Sequence, residues 1–532
     1  MPPGFHPYAM KRFTILLAAL LLAAADLAAA TRPRLVVQIV VGSMRAEDLD
    51  RYAANFCDGG FLRLRRGGTE YADSRYDCQQ TTTPVSLATL TTGAMPSTHG
   101  VVGTRWQNYT ENRTVHLLAG RQGNGPYNLI APTLAETMER QLEGSRQVSI
   151  AAEATSAVVM AGKGGEAYWL DSLTCGWSSS TYYLPIPPAW VERGNRERFN
   201  SSYLDERWRT LLSPDDYVNT RRSDIELAGI QRQKERIRTV DGAPELHTDL
   251  DRMLYTPAGN TAVLGFAKQA IAQFRLGADE TPDLLNICLD SSRRITEAYG
   301  PESVEAEDMY YRLDRDLADF LTFLFAQVKE GNVTVVLTSD HGTSPSYDAG
   351  PEPLERFNTR QFEVIVNSFL NARYGSGNWL LEFSNKCIYL NHNLVYERGL
   401  DLAEVQNEVA IFAMQFRGVS HALSATAMRT SYFGSGYAQR MQNSFYPRRS
   451  GDVILNLMPG WIEERERCRS LSGSMYGYDT HVPLLFYGTG AGMTKVKRRV
   501  DMTSVAPTLA CLLEITEPAA SEGSILPEIV DL

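Results

Sequence analysis

One short stretch constrains the fold of this chain more than any other: an apolar run that ends in an Asp-His pair. Residues 333–338 are apolar or β-branched, and Ser339, Asp340, His341 and Gly342 follow at once. A run of this kind is typical of a strand buried on both faces of a parallel sheet. Open α/β sheets place their chemistry at the carboxyl ends of such strands. We therefore expect Asp340 and His341 at the functional edge of a sheet.

Other apolar runs predict the rest of this sheet. They indicate strands at 35–41, 148–152, 284–289 and 482–486. Segments with apolar residues at helical spacing separate the strands, as at 304–328. The alternation predicts an α/β fold with a doubly wound, mostly parallel sheet flanked by helices. Two long or irregular stretches, at about 175–260 and 345–476, are expected to be cap insertions in this domain.

The N-terminal residues predict an exported protein. Basic residues at 11–12 precede a short apolar run at 13–25, and three alanines at 28–30 then offer a cleavage site. These features are typical of a secretory signal peptide over residues 1–30, which leaves residues 31–532 as the mature domain. The run is too short for a comfortable bilayer span, and no later stretch is long and apolar enough for one. We expect a periplasmic or secreted protein without a membrane span in the mature chain.

The charge balance argues against nucleic acid as a partner. The 532 residues carry a formal net charge of −10, whereas proteins that bind nucleic acid usually show a basic face. Hydrophobic residues make up 43% of the chain, which is enough to bury the core of one large domain with an inserted cap.

Asp340, His341 and His481 are the candidate metal ligands. Each lies beside the end of a predicted strand, and zinc binds histidine nitrogen and carboxylate oxygen. The spacing therefore predicts a zinc-type site. A hydrogen-bonded Asp-His pair that caps a loop is equally consistent with it.

Thr83 is a candidate nucleophile. Pro84 follows it and marks the start of a short helix, because proline loses nothing at the first helical position. A threonine in this place acts as a nucleophile in phosphoryl transfer if a metal lowers the pKa of its hydroxyl. More commonly, such a threonine is only a helix N-cap. The other residues of the site must decide between the two roles.

Several motifs together resemble the alkaline phosphatase superfamily. They are the strand at 35–41, Thr83-Pro84 ahead of Thr92-Gly93, and the segments 96–100, 339–342 and 479–483. The pattern is most similar to single-domain bacterial alkaline phosphatases related to nucleotide pyrophosphatases/phosphodiesterases, and it spans nearly all of the mature chain. The resemblance implies an alkaline phosphatase-like fold and two zinc ions that activate a threonine or serine. It makes Thr83 the nucleophile and Asp340, His341 and His481 metal ligands.

The same resemblance exposes substitutions at the metal site. The first strand of the family ends in a carboxylate ligand, whereas this chain has Gly42 there. After the strand at 284–289 the family has an aspartate and, four residues on, a histidine. Here Arg293 and Glu297 take those positions. Neither zinc ion would keep its full set of ligands.

The phosphate contacts that the resemblance implies are also changed. Glu153 and Thr155 stand where the monoesterase branch has a lysine and an arginine, and Thr104 replaces an asparagine. A carboxylate in place of lysine repels a phosphoryl dianion.

The charges at the substituted ligand positions predict a local replacement for the metal. Arginine in place of an aspartate ligand adds two units of positive charge. We expect Arg293 or Arg294 to occupy part of the metal space and to pair with Asp340 or Glu297, since a buried carboxylate needs such a partner.

Two functional hypotheses follow. The first is a secreted member of the superfamily that has lost the two-zinc site, a pseudoenzyme that needs no metal and binds a protein or a phosphoester ligand. The second is an active phosphatase or phosphodiesterase that uses Thr83 as nucleophile with zinc at a reduced or single-metal site. Whether the chain is an enzyme is left open between the two.

Overall fold

A nine-stranded sheet forms the centre of the fold. The computed structural model of the chain describes residues 32–530 except 198–199, 201–202, 204–207, 220–248, 350–354 and 466–467. The predicted signal peptide and part of the first predicted cap insertion lie outside the described residues. The strands are β1 Leu35–Val41, β2 Thr69–Arg75, β3 Arg105–Asn108, β4 Arg113–His116, β5 Ala119–Gly120, β6 Gly123–Asn124, β7 Gln147–Ala151, β8 Glu166–Leu170, β9 Trp177–Ser178, β10 Asp283–Leu289, β11 Val333–Thr338, β12 Leu380–Ser384, β13 Cys387–Leu390, β14 Val419–Ser424, β15 Val453–Leu457, β16 His481–Gly488 and β17 Thr494–Asp501.

Helices cover the sheet and fill the connections between its strands. In chain order they are α1 Asp48–Arg51, α2 Phe61–Gly67, α3 Thr83–Thr92, α4 Pro96–His99, α5 Leu134–Gln141, α6 Ala154–Ala161, α7 Ala189–Arg196, α8 Asp249–Leu254, α9 Ala258–Phe274, α10 Asp290–Tyr299, α11 Val304–Gln327, α12 Thr359–Tyr374, α13 His392–Glu397, α14 Leu402–Ala413, α15 Ala425–Thr430, α16 Gly436–Asn443, α17 Gly477–Thr480, α18 Val505–Leu512 and α19 Pro527–Val530. Among the described residues, none of these helices combines the length and the apolar character that crossing a membrane requires.

The strand order confirms the predicted α/β architecture. It is β17-β2-β16-β11-β1-β10-β7-β8-β9. The central strands β11, β1, β10 and β7 run parallel, whereas β16 is antiparallel to both β11 and β2. Every residue of β1, β10 and β11 is buried. Alternate side chains of β1 enter two separate hydrophobic clusters, one on each face of the sheet. This two-sided burial explains the continuous apolar runs in the sequence.

The register of the central strands brings the candidate site together. Val41 at the end of β1 pairs with Leu289 at the end of β10, and Val40 pairs with Thr338 at the end of β11. The residues that follow these strands therefore meet at one edge of the sheet. Between β11 and β16 the chain forms a second, antiparallel sheet with the order β12-β13-β15-β14. Its hydrophobic cluster includes residues of α12 and α14.

His99 is a buried, neutral structural residue. Its Nδ1 accepts from the backbone N–H of Val101 at 3.1 Å, so the ring proton is on Nε2, which lies 3.1 Å from Thr89 Oγ1. Burial, together with the nearby charge of Arg449, lowers the pKa of His99 to about 3. Because its pKa in the unfolded chain is higher, the native state resists protonation and stability falls as the pH drops below 6.5.

Replacing His99 by glutamine should flatten this part of the pH dependence. Between pH 7 and pH 5 the wild-type protein should lose about 2 kcal/mol more unfolding free energy than His99→Gln, since one pKa unit corresponds to about 1.4 kcal/mol. Urea unfolding at both pH values measures the difference. His116→Gln, at an exposed position, is the matched control. Equal pH slopes for wild type and His99→Gln would contradict the assignment.

Candidate functional site

Thr83, Asp340 and His341 form a hydrogen-bonded cluster at the carboxyl edge of the sheet. Thr83 is the first residue of α3, and its hydroxyl donates to Asp340 Oδ2 at 2.7 Å. The same hydroxyl oxygen lies 3.2 Å from His341 Nε2. Asp340 Oδ1 accepts from the backbone N–H groups of Ser43 and His341, both at 2.9 Å. The structure thus brings together three of the four residues predicted as nucleophile and ligands.

The hydrogen bond of His341 to the chain fixes the orientation of its ring. Nδ1 lies 2.6 Å from the carbonyl oxygen of Gly342, and a carbonyl only accepts, so Nδ1 carries a proton. Nε2 therefore points to Thr83 and also to Ser472 Oγ, at 3.3 Å. Ser472 was not among the predicted site residues, because it follows Leu471 in a stretch without a regular pattern.

His481 does not belong to this cluster, which corrects its assignment as a metal ligand. It is the first residue of β16 and pairs with Arg75 of β2. Its Nε2 lies 3.0 Å from the carbonyl oxygen of Ala72, to which it donates. Pairing of β16 with β2 directs the imidazole to that neighbour, and the sequence alone does not contain this information.

Gly42 and Arg293 are in direct steric contact. A Cβ atom on Gly42 would lie 2.9 Å from Arg293 Cβ and 3.1 Å from the carbonyl oxygen of Leu289. These distances are shorter than normal carbon contacts, so α10 leaves no room for a side chain at residue 42. A side chain at residue 42 would therefore require a shift of α10 or of the Leu289 carbonyl.

A network of ion pairs surrounds Arg293. Its guanidinium lies 2.8 Å from Glu153 and 3.5 Å from Glu297, and Arg294 Nε lies 2.7 Å from Glu153. Burial opposes the charge of Arg293, but the carboxylates around it, Glu153 foremost, raise the pKa of Arg293 well above its ordinary value. Burial likewise opposes the charge of Glu153, yet the two arginines hold the pKa of Glu153 below its ordinary value. The predicted pairing with Glu297 is present, and the shorter contact is with Glu153.

The residues of this ion-pair network line one cavity of about 310 Å³. Thr83 and His341 form part of its wall, as do the three positions predicted for phosphate contact, Thr104, Glu153 and Thr155. Its charged side chains balance, with the cations Arg293, Arg294, Lys386 and Arg465 against the carboxylates Glu153, Glu297, Glu463 and Asp479. Such a balanced wall gives a phosphoryl dianion no net attraction.

The donor set does not fit a two-zinc site. Zinc needs four nitrogen, sulfur or oxygen ligands, and a guanidinium has no lone pair to offer. Thr83 and His341 lie in the cavity wall, but Arg293 also lines it, and the hydroxyl of Ser472 lies beside His341. Within the part of the chain that the structure describes, no three His, Cys, Asp or Glu side chains are grouped to hold a metal ion.

Comparison with known proteins identifies the family. The model of the type I phosphodiesterase / nucleotide pyrophosphatase family matches residues 36–479. The chain belongs to this family, in the branch of the alkaline phosphatase superfamily that resembles nucleotide pyrophosphatases.

Two relatives of similar length are named alkaline phosphatases. Alkaline phosphatase PafA of Elizabethkingia meningoseptica is 28% identical over 521 residues, which cover 94% of this chain and 95% of that protein. Alkaline phosphatase PhoV of Synechococcus elongatus is 28% identical over 523 residues, with 94% and 93% covered. The crystal structure of wild-type PafA superimposes with a TM-score of 0.86 at 27% identity and covers 94% of this chain and 99% of the other. The fold is therefore preserved along nearly the whole chain.

Adding a methyl group at residue 42 should destabilise the protein. Gly42→Ala forces Cβ against Arg293 and the Leu289 carbonyl, and overpacking of this kind costs about 1–3 kcal/mol. Denaturant unfolding measures the loss. Gly194→Ala in α7 is the matched control, because a Cβ there meets nothing within 4 Å and alanine favours a helix by about 0.5–1 kcal/mol. Equal effects of the two substitutions would contradict the steric coupling.

Removing the charge of Glu153 should lower the free energy of unfolding more than Gly42→Ala does. Glu153→Met leaves Arg293 and Arg294 without their shared carboxylate, and breaking a buried pair costs about 3–5 kcal/mol. Because the pKa of Glu153 is lowered in the native state, this contribution is present above its ordinary pKa of 4.5 and is lost as the pH falls further. Urea unfolding at pH 7 and pH 3 measures both effects.

Glu408→Met provides the control for this measurement. Glu408 pairs with Arg373, whose side chain is 59% exposed, so its removal should cost no more than about 1 kcal/mol. A loss for Glu153→Met as small as that for Glu408→Met would show that the network does not stabilise the fold.

Proposed function

We propose that this chain is a phosphatase-superfamily protein that has lost the two-zinc phosphoryl-transfer site and now acts by binding. The contact between Arg293 and Glu153, at 2.8 Å, carries the proposal. It places a buried cation at a position where the family resemblance expects a metal ligand, and a carboxylate where it expects a phosphate-binding lysine. The functional cavity then needs no metal.

The substitutions support this proposal because they compensate one another. Arg293 brings positive charge to the region, and Glu153 neutralises it. Loss of a single ligand would leave uncompensated charge in a buried site. Here Arg293 and Arg294 are both paired with Glu153, which is the arrangement expected of a site that is stable without zinc.

One observation favours the alternative, a metal-dependent phosphatase or phosphodiesterase. Thr83 keeps its place at the start of α3, and its hydroxyl remains within hydrogen-bond distance of Asp340 and His341. A zinc ion bound by Asp340 and His341, with Glu297 as a further candidate ligand, would lower the pKa of that hydroxyl. This reduced site would use Thr83 as nucleophile.

The protein is expected to act in the periplasm or outside the cell. We propose export on the basis of the basic and apolar pattern in residues 1–30. The partner would then be a protein or a small ligand of the periplasm or the medium. With its net charge of −10, the chain is not expected to bind nucleic acid.

Turnover of simple phosphoesters tests the proposal against the alternative. Zinc-treated protein should hydrolyse p-nitrophenyl phosphate and bis-p-nitrophenyl phosphate no faster than its Thr83→Ala variant, because neither protein activates the residue 83 side chain. Release of p-nitrophenol measures both reactions, and PafA assayed in parallel is the positive control. Zinc-dependent turnover that disappears in Thr83→Ala would establish the alternative and contradict the proposal.

A further inference from the structure

Asp479 presents an unused hydrogen-bond acceptor to the cavity. Its side chain is fully buried, and Oδ2 accepts from the backbone N–H of Ser474 at 2.7 Å. Oδ1 has no hydrogen-bond partner among the described residues, although the residue lines the cavity. Burial raises the pKa of Asp479, which reflects the poor solvation of its charge. A buried carboxylate oxygen of this kind favours a ligand that donates to it.

Arg294 presents unused donors to the same cavity. Its Nε donates to Glu153, but its two terminal nitrogens donate to none of the residues that the structure describes. The side chain is 33% exposed and lines the cavity. A guanidinium with two free terminal nitrogens binds a carboxylate through parallel hydrogen bonds. The cavity therefore offers one acceptor and one planar donor pair.

Trp461 and Tyr478 give the cavity an aromatic wall. The indole packs directly on the backbone of Gly418, where a Cβ would lie 2.4 Å from a ring atom. The hydroxyl of Tyr478 accepts from the backbone N–H of Gly460 at 3.0 Å. Both rings are therefore held in place. Such a rigid aromatic surface suits the carbon skeleton of a small polar ligand.

The surrounding charges select among ligands. Cations and carboxylates balance in the cavity wall, and Asp340 adds a further negative charge beside Thr83. A dianion is therefore disfavoured more strongly than a single negative charge that pairs with Arg294. Lys386 lies near Asp479, which counteracts the lowering of the Lys386 pKa by burial. A cationic ligand at Asp479 would meet the charge of Lys386, so a neutral hydroxyl is the better donor.

We propose that the cavity binds a polyhydroxylated monocarboxylic acid of the sugar-acid class. The ligand carboxylate pairs with the terminal nitrogens of Arg294, a hydroxyl donates to Asp479 Oδ1, and the carbon skeleton lies against Trp461. The volume of about 310 Å³ lies at the small end of the range for ligand pockets, about 300–1,000 Å³. This inference rests on the proposed function, because phosphoryl transfer would use the same space.

Titration calorimetry with the full chain tests the ligand class. Glucuronate is the probe, glucose tests the need for the carboxylate, and inorganic phosphate tests the response to a doubly charged anion. Glucuronate should bind at least tenfold more tightly than either of the others. Absence of binding heat with glucuronate, or equal affinity for glucose, would overturn the inference.

Variants of the two anchoring residues locate the binding. Asp479→Asn and Arg294→Gln should each weaken glucuronate binding by roughly 10- to 100-fold, since hydrogen bonds to charged groups contribute about 1.5–3 kcal/mol. Asp501→Asn, at a carboxylate bonded to Thr503, and Arg373→Gln, at an exposed ion pair, are the matched controls. If Asp479→Asn does not fold, Arg294→Gln decides alone. Unchanged affinity in the folded variants would contradict the assignment.

Failure of this inference and failure of the proposed function have different signatures. If the protein neither hydrolyses phosphoesters nor binds glucuronate, the proposed function stands and the proposed ligand class is wrong. Zinc-dependent turnover that requires Thr83 overturns the proposed function, whether or not glucuronate binds.

Discussion

The ion pair between Glu153 and Arg293 sets the local charge in the cavity at the sheet edge. It joins Glu153, which immediately precedes α6, to α10, and the side chains of Glu153 and Arg293 are only 19% and 11% exposed. A desolvated guanidinium is tolerated only with a carboxylate beside it. Gly42 is part of the same arrangement, because any side chain there would meet Arg293. Glu153, Arg293 and Gly42 thus pack together at the carboxyl edge of the sheet.

Preservation of the fold together with change at the site is consistent with the general rule that function resides in sites rather than in folds. The sheet and its flanking helices superimpose closely on PafA, because the buried faces of β1, β10 and β11 depend on packing rather than on metal. Thr83, Asp340 and His341 also remain joined. Their mutual hydrogen bonds, and the one from the backbone N–H of Ser43 to Asp340, hold the three side chains together at the sheet edge.

The sequence allowed the sheet and half of the site to be predicted. The predicted bounds of β1 and β11 agree with the structure, since strands buried on both faces leave an unbroken apolar run. The change of charge at residue 293 predicted the pairing with Glu297, but the shorter contact, with Glu153, was not predicted. Ser472 was not predicted and His481 was assigned to the wrong neighbours. The position of Ser472 depends on the path of a loop, and that of His481 depends on the pairing of β16 with β2. The second sheet was also not predicted, and β14 shows why: four of its six residues are only half-buried.

Zinc stoichiometry tests whether the site still binds metal. Purified protein, incubated with excess zinc and then dialysed, should retain far less than one zinc ion per chain in elemental analysis, and PafA treated identically should retain its metal. Arg293 and Ser472 would then occupy a site that no longer binds a metal pair. Retention of one or two zinc ions per chain, lost in an Asp340→Asn variant, would contradict the loss of the metal site.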